Sequence, residues 1–160
     1  MNRIAAGALA GLVATLPMTA VMVALRAVLP RREQYALPPR EITIEVADKA
    51  GLEPERLPEP TRHAATTIAH YSFGALAGAA YAPVAERLPN GGSPALKGVA
   101  WGLVVWTTTY LGVLPAADIL RPATEHPARR NALMIAAHVV WGGVTGVLAE
   151  RLAGDEDRGG

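Results

Sequence analysis

Charge is confined to less than half of this chain, and no other property narrows its folding so far. Ile4 to Leu25 runs 22 residues without an Asp, Glu, Lys or Arg, His63 to Ala85 runs 23, Gly98 to Ala117 runs 20, and Asn131 to Ala149 runs 19. All 15 basic and 14 acidic residues of the 160 crowd into what remains. A helix rises about 1.5 Å per residue and the hydrocarbon layer is about 30 Å thick, so roughly 20 mostly apolar residues make one crossing. Each stretch meets that length. A soluble bundle needs charges at about every third or fourth helical position to keep one face wet, and none of the four stretches carries any. The expectation is an all-α integral membrane four-helix bundle forming a single membrane domain over 1–160. Its spans lie at about 4–28, 63–86, 97–115 and 130–150.

The first stretch, flanked by Arg3, is too long for a secretory signal, contains Pro17, and lacks an A-x-A cleavage site; it reads as a retained span. The longest polar segment, 30–62, holds Pro38-Pro39 as a helix start, Glu41 in a first turn, Lys49 in a last turn and Gly51 as a stop. It predicts a short interfacial helix over 39–50. The residues Pro89-Asn90-Gly91-Gly92 signal a tight turn between spans two and three, and the tail after Leu152 reads as frayed. Lys and Arg number ten on the side of the two longer loops and five on the side of the termini and the 86–97 loop. The positive-inside rule therefore places the longer loops in the cytoplasm and both termini outside a bacterial inner membrane.

The halves are alike. Gly7-xxx-Gly11 matches Gly98-xxx-Gly102, and both runs end in Val-Leu-Pro, at Pro30 and Pro115. His70-xxx-Gly74-xxx-Gly78 matches His138-xxx-Gly142-xxx-Gly146, and these continue into Ala-Glu-Arg-Leu at Leu88 and Leu152. Two hairpin copies entering the membrane in the same sense are related by an axis along its normal, the parallel type of repeat. Positions four apart share a helix face, so each motif forms a stripe of small residues along which backbones approach. The expectation is that spans two and four meet at the axis through these stripes, with spans one and three packed outside by their own glycines.

His70 and His138 are the only ionisable residues within the uncharged stretches away from their ends, and each is the eighth residue of its stretch. Both therefore lie about 10 Å deep from the same side. Ionisable groups at that depth are functional candidates. Two imidazoles at equal depth suit axial ligation of a haem, with the neighbouring glycines making room for the macrocycle. They also suit proton or ion handling in a small transporter, or simple packing through hydrogen bonds to Thr15, Thr19 or Thr107 to Thr109. Zinc catalysis needs a third ligand that the sequence does not supply at this depth, so no metal site is assigned. The chain has no Cys, and neither Ser72 nor Ser93 sits in G-x-S-x-G. Phosphate-loop, dinucleotide and H-E-x-x-H motifs are missing, so no catalytic residue is assigned. Balanced charge removes the attraction a nucleic-acid binder needs. Four short spans enclose little volume, so lipid and a second copy or membrane partner are the expected neighbours.

The run from His70 through Tyr81-Ala82-Pro83-Val84-Ala85-Glu86, Gly98-xxx-Gly102, the Leu114-Pro115 exit and Ala137-His138-Val-Val-Trp141-Gly142 resembles the YagU-like group of small bacterial inner-membrane proteins. The resemblance covers Ile68 to Leu152 and implies a multi-span inner-membrane protein without an assigned activity. The short, Pro-rich segment before span two departs from that pattern, and nothing about the first half is carried over. The reading that results is a structural or accessory, self-associating membrane component, against a bis-His haem electron carrier or a small transporter.

Overall fold

The computed structural model describes residues 1–88 and 92–154. Three of the four residues of the turn expected at Pro89-Asn90-Gly91-Gly92, and the end of the tail, lie outside them. Among the described residues the chain is helical, with no strand. It forms α1 (Arg3–Ala27), α2 (Pro38–Lys49), α3 (Glu59–Arg87), α4 (Pro94–Ala116) and α5 (Ala128–Gly154). Asn2 caps α1 by accepting from the Ala5 N–H at 2.8 Å. Pro38 opens α2, and Gly51 takes φ 76° just past its end, a backbone state that a Cβ would strain.

Among the described residues three helices are long and apolar enough to cross a membrane: α1, α4 and α5. The four crossings expected from charge alone thus reduce to three by apolarity. α3 has ample length, 29 residues, but its His, Tyr, Thr, Ser and Gly content dilutes its hydropathy. What the helices present to their surroundings supports a lipid solvent. Ala6, Ala10 and Ala14 are fully buried, whereas Leu16, Ile68, Leu76 and Leu96 stand 64 to 70% exposed. Small residues at the closest helix contacts, with large apolar ones left facing outward, is an arrangement that van der Waals packing in lipid favours.

The glycines set which helices pair. A Cβ on Gly7 would strike the Gly78 carbonyl and one on Gly11 the Gly74 carbonyl, so α1 and α3 run antiparallel in backbone contact. α4 and α5 do the same, with Gly98 against Gly142, Gly102 against the His138 carbonyl and Gly146 against the Pro94 carbonyl. Within the second pair the contact has moved one turn toward the histidine. The expectation that the stripes of spans two and four meet each other is therefore corrected. Joining a stripe to a stripe within each hairpin lets both backbones close up, and leaves no glycine of spans two and four for a meeting at an axis.

The two hairpins join instead through α1 and α5. Ala14, Met18, Met22, Leu133, Met134, Ala137 and Trp141 fill that seam. The Trp141 indole donates to the Gly11 carbonyl at 3.1 Å, and Trp101 reaches from α4 to the Ala77 carbonyl on α3 at 3.0 Å. α3 and α4 otherwise barely touch, so the ring of four long helices is shut on one side and open on the other.

Near Pro115, α4 widens into a π turn over Thr109–Val113. Proline has no N–H for the carbonyl four residues back, and its ring crowds that turn. At this same end of the bundle the segment 33–36 is held in place by two arginines. Arg130, 5% exposed, donates to the carbonyls of Glu33 at 2.9 Å and Ala36 at 2.8 Å, and lies 3.4 Å over the Tyr35 ring. Arg26 donates to the carbonyls of Tyr35 and Gln34.

Candidate intramembrane cavity

A cavity of about 250 Å³ lies in the open side of the ring. Its back wall is Thr15 and Met18 of α1 with Met134, His138 and Trp141 of α5. Ala69, His70, Phe73 and Gly74 form the α3 side, and Val105, Thr109, Tyr110 and Leu114 the α4 side. Pro39, Ile42 and Thr43 of α2 close one end. Ala69 and Phe73 are exposed on the outer surface as well as lining the cavity, so its mouth faces sideways between α3 and α4.

The cavity gathers both sequence-predicted histidines. His138 is buried at 4% exposure, and its Nδ1 lies 2.8 Å from the Met134 carbonyl. A carbonyl only accepts, so Nδ1 carries the proton and Nε2 of the neutral ring has a bare lone pair. Tyr110 meets the His138 ring edge-on, with centroids 5.9 Å apart. His70 is half-buried, and its Nε2 is enclosed without a hydrogen-bond partner. The difference between the two imidazoles follows from the one-turn slide: it draws the His138 backbone into the α4 contact, whereas His70 stands beyond the last glycine contact of its own pair.

The candidate glycines do not line a macrocycle site. Gly142 is pressed on Gly98, and Gly74 on Thr15 and Gly11, so the room they offered a haem is filled by neighbouring helices. A volume of about 250 Å³ also lies below the ~300 Å³ at which pockets for drug-sized ligands begin. The arrangement fits a smaller or slimmer molecule. No group of three His, Asp or Glu able to hold a metal occurs among the described residues.

Thr109, named in the sequence reading as a partner for the histidines, reaches the cavity through the π turn. Tyr110, on the same turn, and Trp141 also line it and were assigned no site role by that reading. The helix expected to be interfacial, α2, turns Ile42 and Thr43 to the cavity and is tied to α3. Arg40 binds Glu59 through two bonds of 2.6 and 2.9 Å, and Arg62 adds a third at 2.7 Å. The Arg40 bonds first, then the surrounding Arg charges, hold the Glu59 carboxyl down to about 2. On the same helix one oxygen of Glu41 is buried without a partner, and burial raises its pKa against the pull of Arg130 and Arg121. The His126 Nδ1 shares a hydrogen bond with the Tyr35 hydroxyl at 2.8 Å. Burial first, then the charges of Arg121 and Arg130, lowers its pKa and favours the neutral ring.

No curated protein and no solved structure shows significant similarity to this chain. A family profile matches residues 1–159, and on that match the chain belongs to DUF6789, a family of unknown function.

Proposed function

We propose that this chain is a membrane-embedded binding protein for a small, largely apolar molecule that enters sideways between α3 and α4. The observation that carries the reading is the cavity itself. It is mainly apolar, and it collects both intramembrane histidines together with Thr15, Thr109 and Tyr110 from four different helices. Ligand sites in helical bundles have this composition, an apolar lining with a few convergent polar groups.

In this reading α3 is the fourth crossing, because it runs antiparallel along the whole glycine contact with α1. The chain is then a two-hairpin repeat in a bacterial inner membrane, with its longer loops and α2 on the cytoplasmic side, in keeping with its likeness to YagU-like proteins. One chain builds the cavity complete, so self-association through the exposed faces of α3 and α4 is compatible with binding but not required for it. The sequence offers no catalytic motif, and the reading assigns no reaction.

The test uses the full chain in lipid nanodiscs with 1-bromooctane, whose bromine quenches indole fluorescence. Quenching of Trp141 saturates in the wild type and loses its saturable part in Val105→Phe, which fills the cavity. Quenching that only tracks the bromide dissolved in the bilayer, alike in both proteins, overturns the proposal.

A further inference from the structure

The hydrogen atoms of the cavity are already committed. The Thr15 hydroxyl donates to the Gly11 carbonyl at 2.8 Å, Thr43 to Pro39 at 2.7 Å and Thr109 to Val105 at 2.6 Å. The Trp141 N–H is used on Gly11, and the Nδ1–H of His138 on Met134. Back-bonding of this kind is ordinary for Thr within helices. Its effect here is that three hydroxyl oxygens and the Nε2 of His138 offer lone pairs to the cavity and nothing else. Only Tyr110 and His70 retain a choice of role. No Lys or Arg lines the cavity among the described residues, so a carboxylate or phosphate has no counter-charge there. No Asp or Glu lines it either, so an ammonium group has none.

Resting on the proposed binding role, we infer that the cavity selects a neutral apolar molecule that donates a hydrogen bond, an alcohol or a phenol. The ligand hydroxyl gives its proton to this acceptor set, centred on His138, and its oxygen can accept from Tyr110. A ketone, ether or carboxylate of the same shape leaves the lone pairs facing each other unsatisfied, and polar sites reject such analogues strongly.

The experiment displaces 1-bromooctane from the full chain in nanodiscs, with competitors compared at equal membrane concentration. The hydroxyl probes are 4-butylphenol and 1-octanol; the controls are their methyl ethers and octanoate. We expect at least one hydroxyl probe to compete ten-fold or more better than its ether, with octanoate weaker still. The better of the two hydroxyl probes then tells an aromatic from an aliphatic carrier. In His138→Leu and the nearly isosteric Thr109→Val the preference for hydroxyl over ether falls below about three-fold, while 1-bromooctane still quenches saturably. Saturable quenching with ethers equal to alcohols, or with octanoate the best competitor, overturns the donor rule and leaves the binding role standing. A ten-fold preference that persists in both variants likewise overturns the assignment to these acceptors. Absence of saturable quenching from the wild type removes both.

Discussion

The ring of helices is built two ways. Along α1–α3 and α4–α5, glycine faces glycine and the backbones touch, so neither helix can move toward the other or admit a side chain. Between α3 and α4 there is little beyond the Trp101 tether, and larger residues such as Phe73 and Tyr110 stand around a cavity. The tight seams act as rigid walls, and the loose side is the place where, in the proposed role, a guest is accommodated. A membrane bundle gains nothing from water when it closes, so a helix pair without small residues has little reason to shut.

Replacing a seam glycine tests the first half of that contrast and carries the largest expected effect. Gly98→Leu drives side-chain atoms into the Gly142 backbone and should cost about 3 kcal/mol or more, read as lost folding in a detergent-denaturation series. Gly112→Leu on the same helix meets nothing within 4 Å and should stay within about 0.5 kcal/mol. A small effect at Gly98 would mean that the walls yield. Next comes the junction of the hairpins: Trp141→Phe keeps most of the packing but removes the indole's bond across the junction to the Gly11 carbonyl, which keeps its Thr15 partner, for about 1 kcal/mol in the same assay.

Glu41→Gln probes the α2 floor. Because burial raises the folded pKa of Glu41, the ionised form is penalised only in the native state. That penalty is absent well below the ordinary carboxylate pKa, grows as pH rises through it, and is constant above the raised folded value. The variant should therefore melt higher than wild type at neutral pH and alike in acid; an unchanged or lower Tm at pH 7 would show that the Arg130 attraction outweighs burial. The smallest change is expected on the outward face, where Leu76→Ala, at a residue 70% exposed, should shift stability by less than about 0.5 kcal/mol in lipid. A large loss there would place a second chain on α3.

The sequence reading located the stripes but paired them wrongly, and the reason is physical. G-x-x-x-G states that a backbone comes close at that face, and it carries no information about whose backbone it is. The depth of His70 and His138 could be counted from the helical rise, which is why both appear in one cavity. Their inequality could not, because it arises from a one-turn slide between α4 and α5 that no local pattern encodes. Arg129 and Arg130 look equivalent in the chain, yet only Arg130 turns inward, toward carbonyls 94 to 97 positions away. The π turn had a local signal in Pro115, read only as an exit from the span. The polar segment 30–62 was taken as a surface feature because its tertiary partners, α3 and α5, follow it in sequence.

The sideways mouth at Ala69 and Phe73 sets how this protein would sample its surroundings. Under the proposed role, a solute arriving there is drawn from the bilayer, where sparingly water-soluble compounds accumulate far above their aqueous level. Modest contacts inside the cavity are then enough for occupancy at trace amounts in the medium, and the fraction filled reports how the compound partitions into the membrane as much as how well it fits.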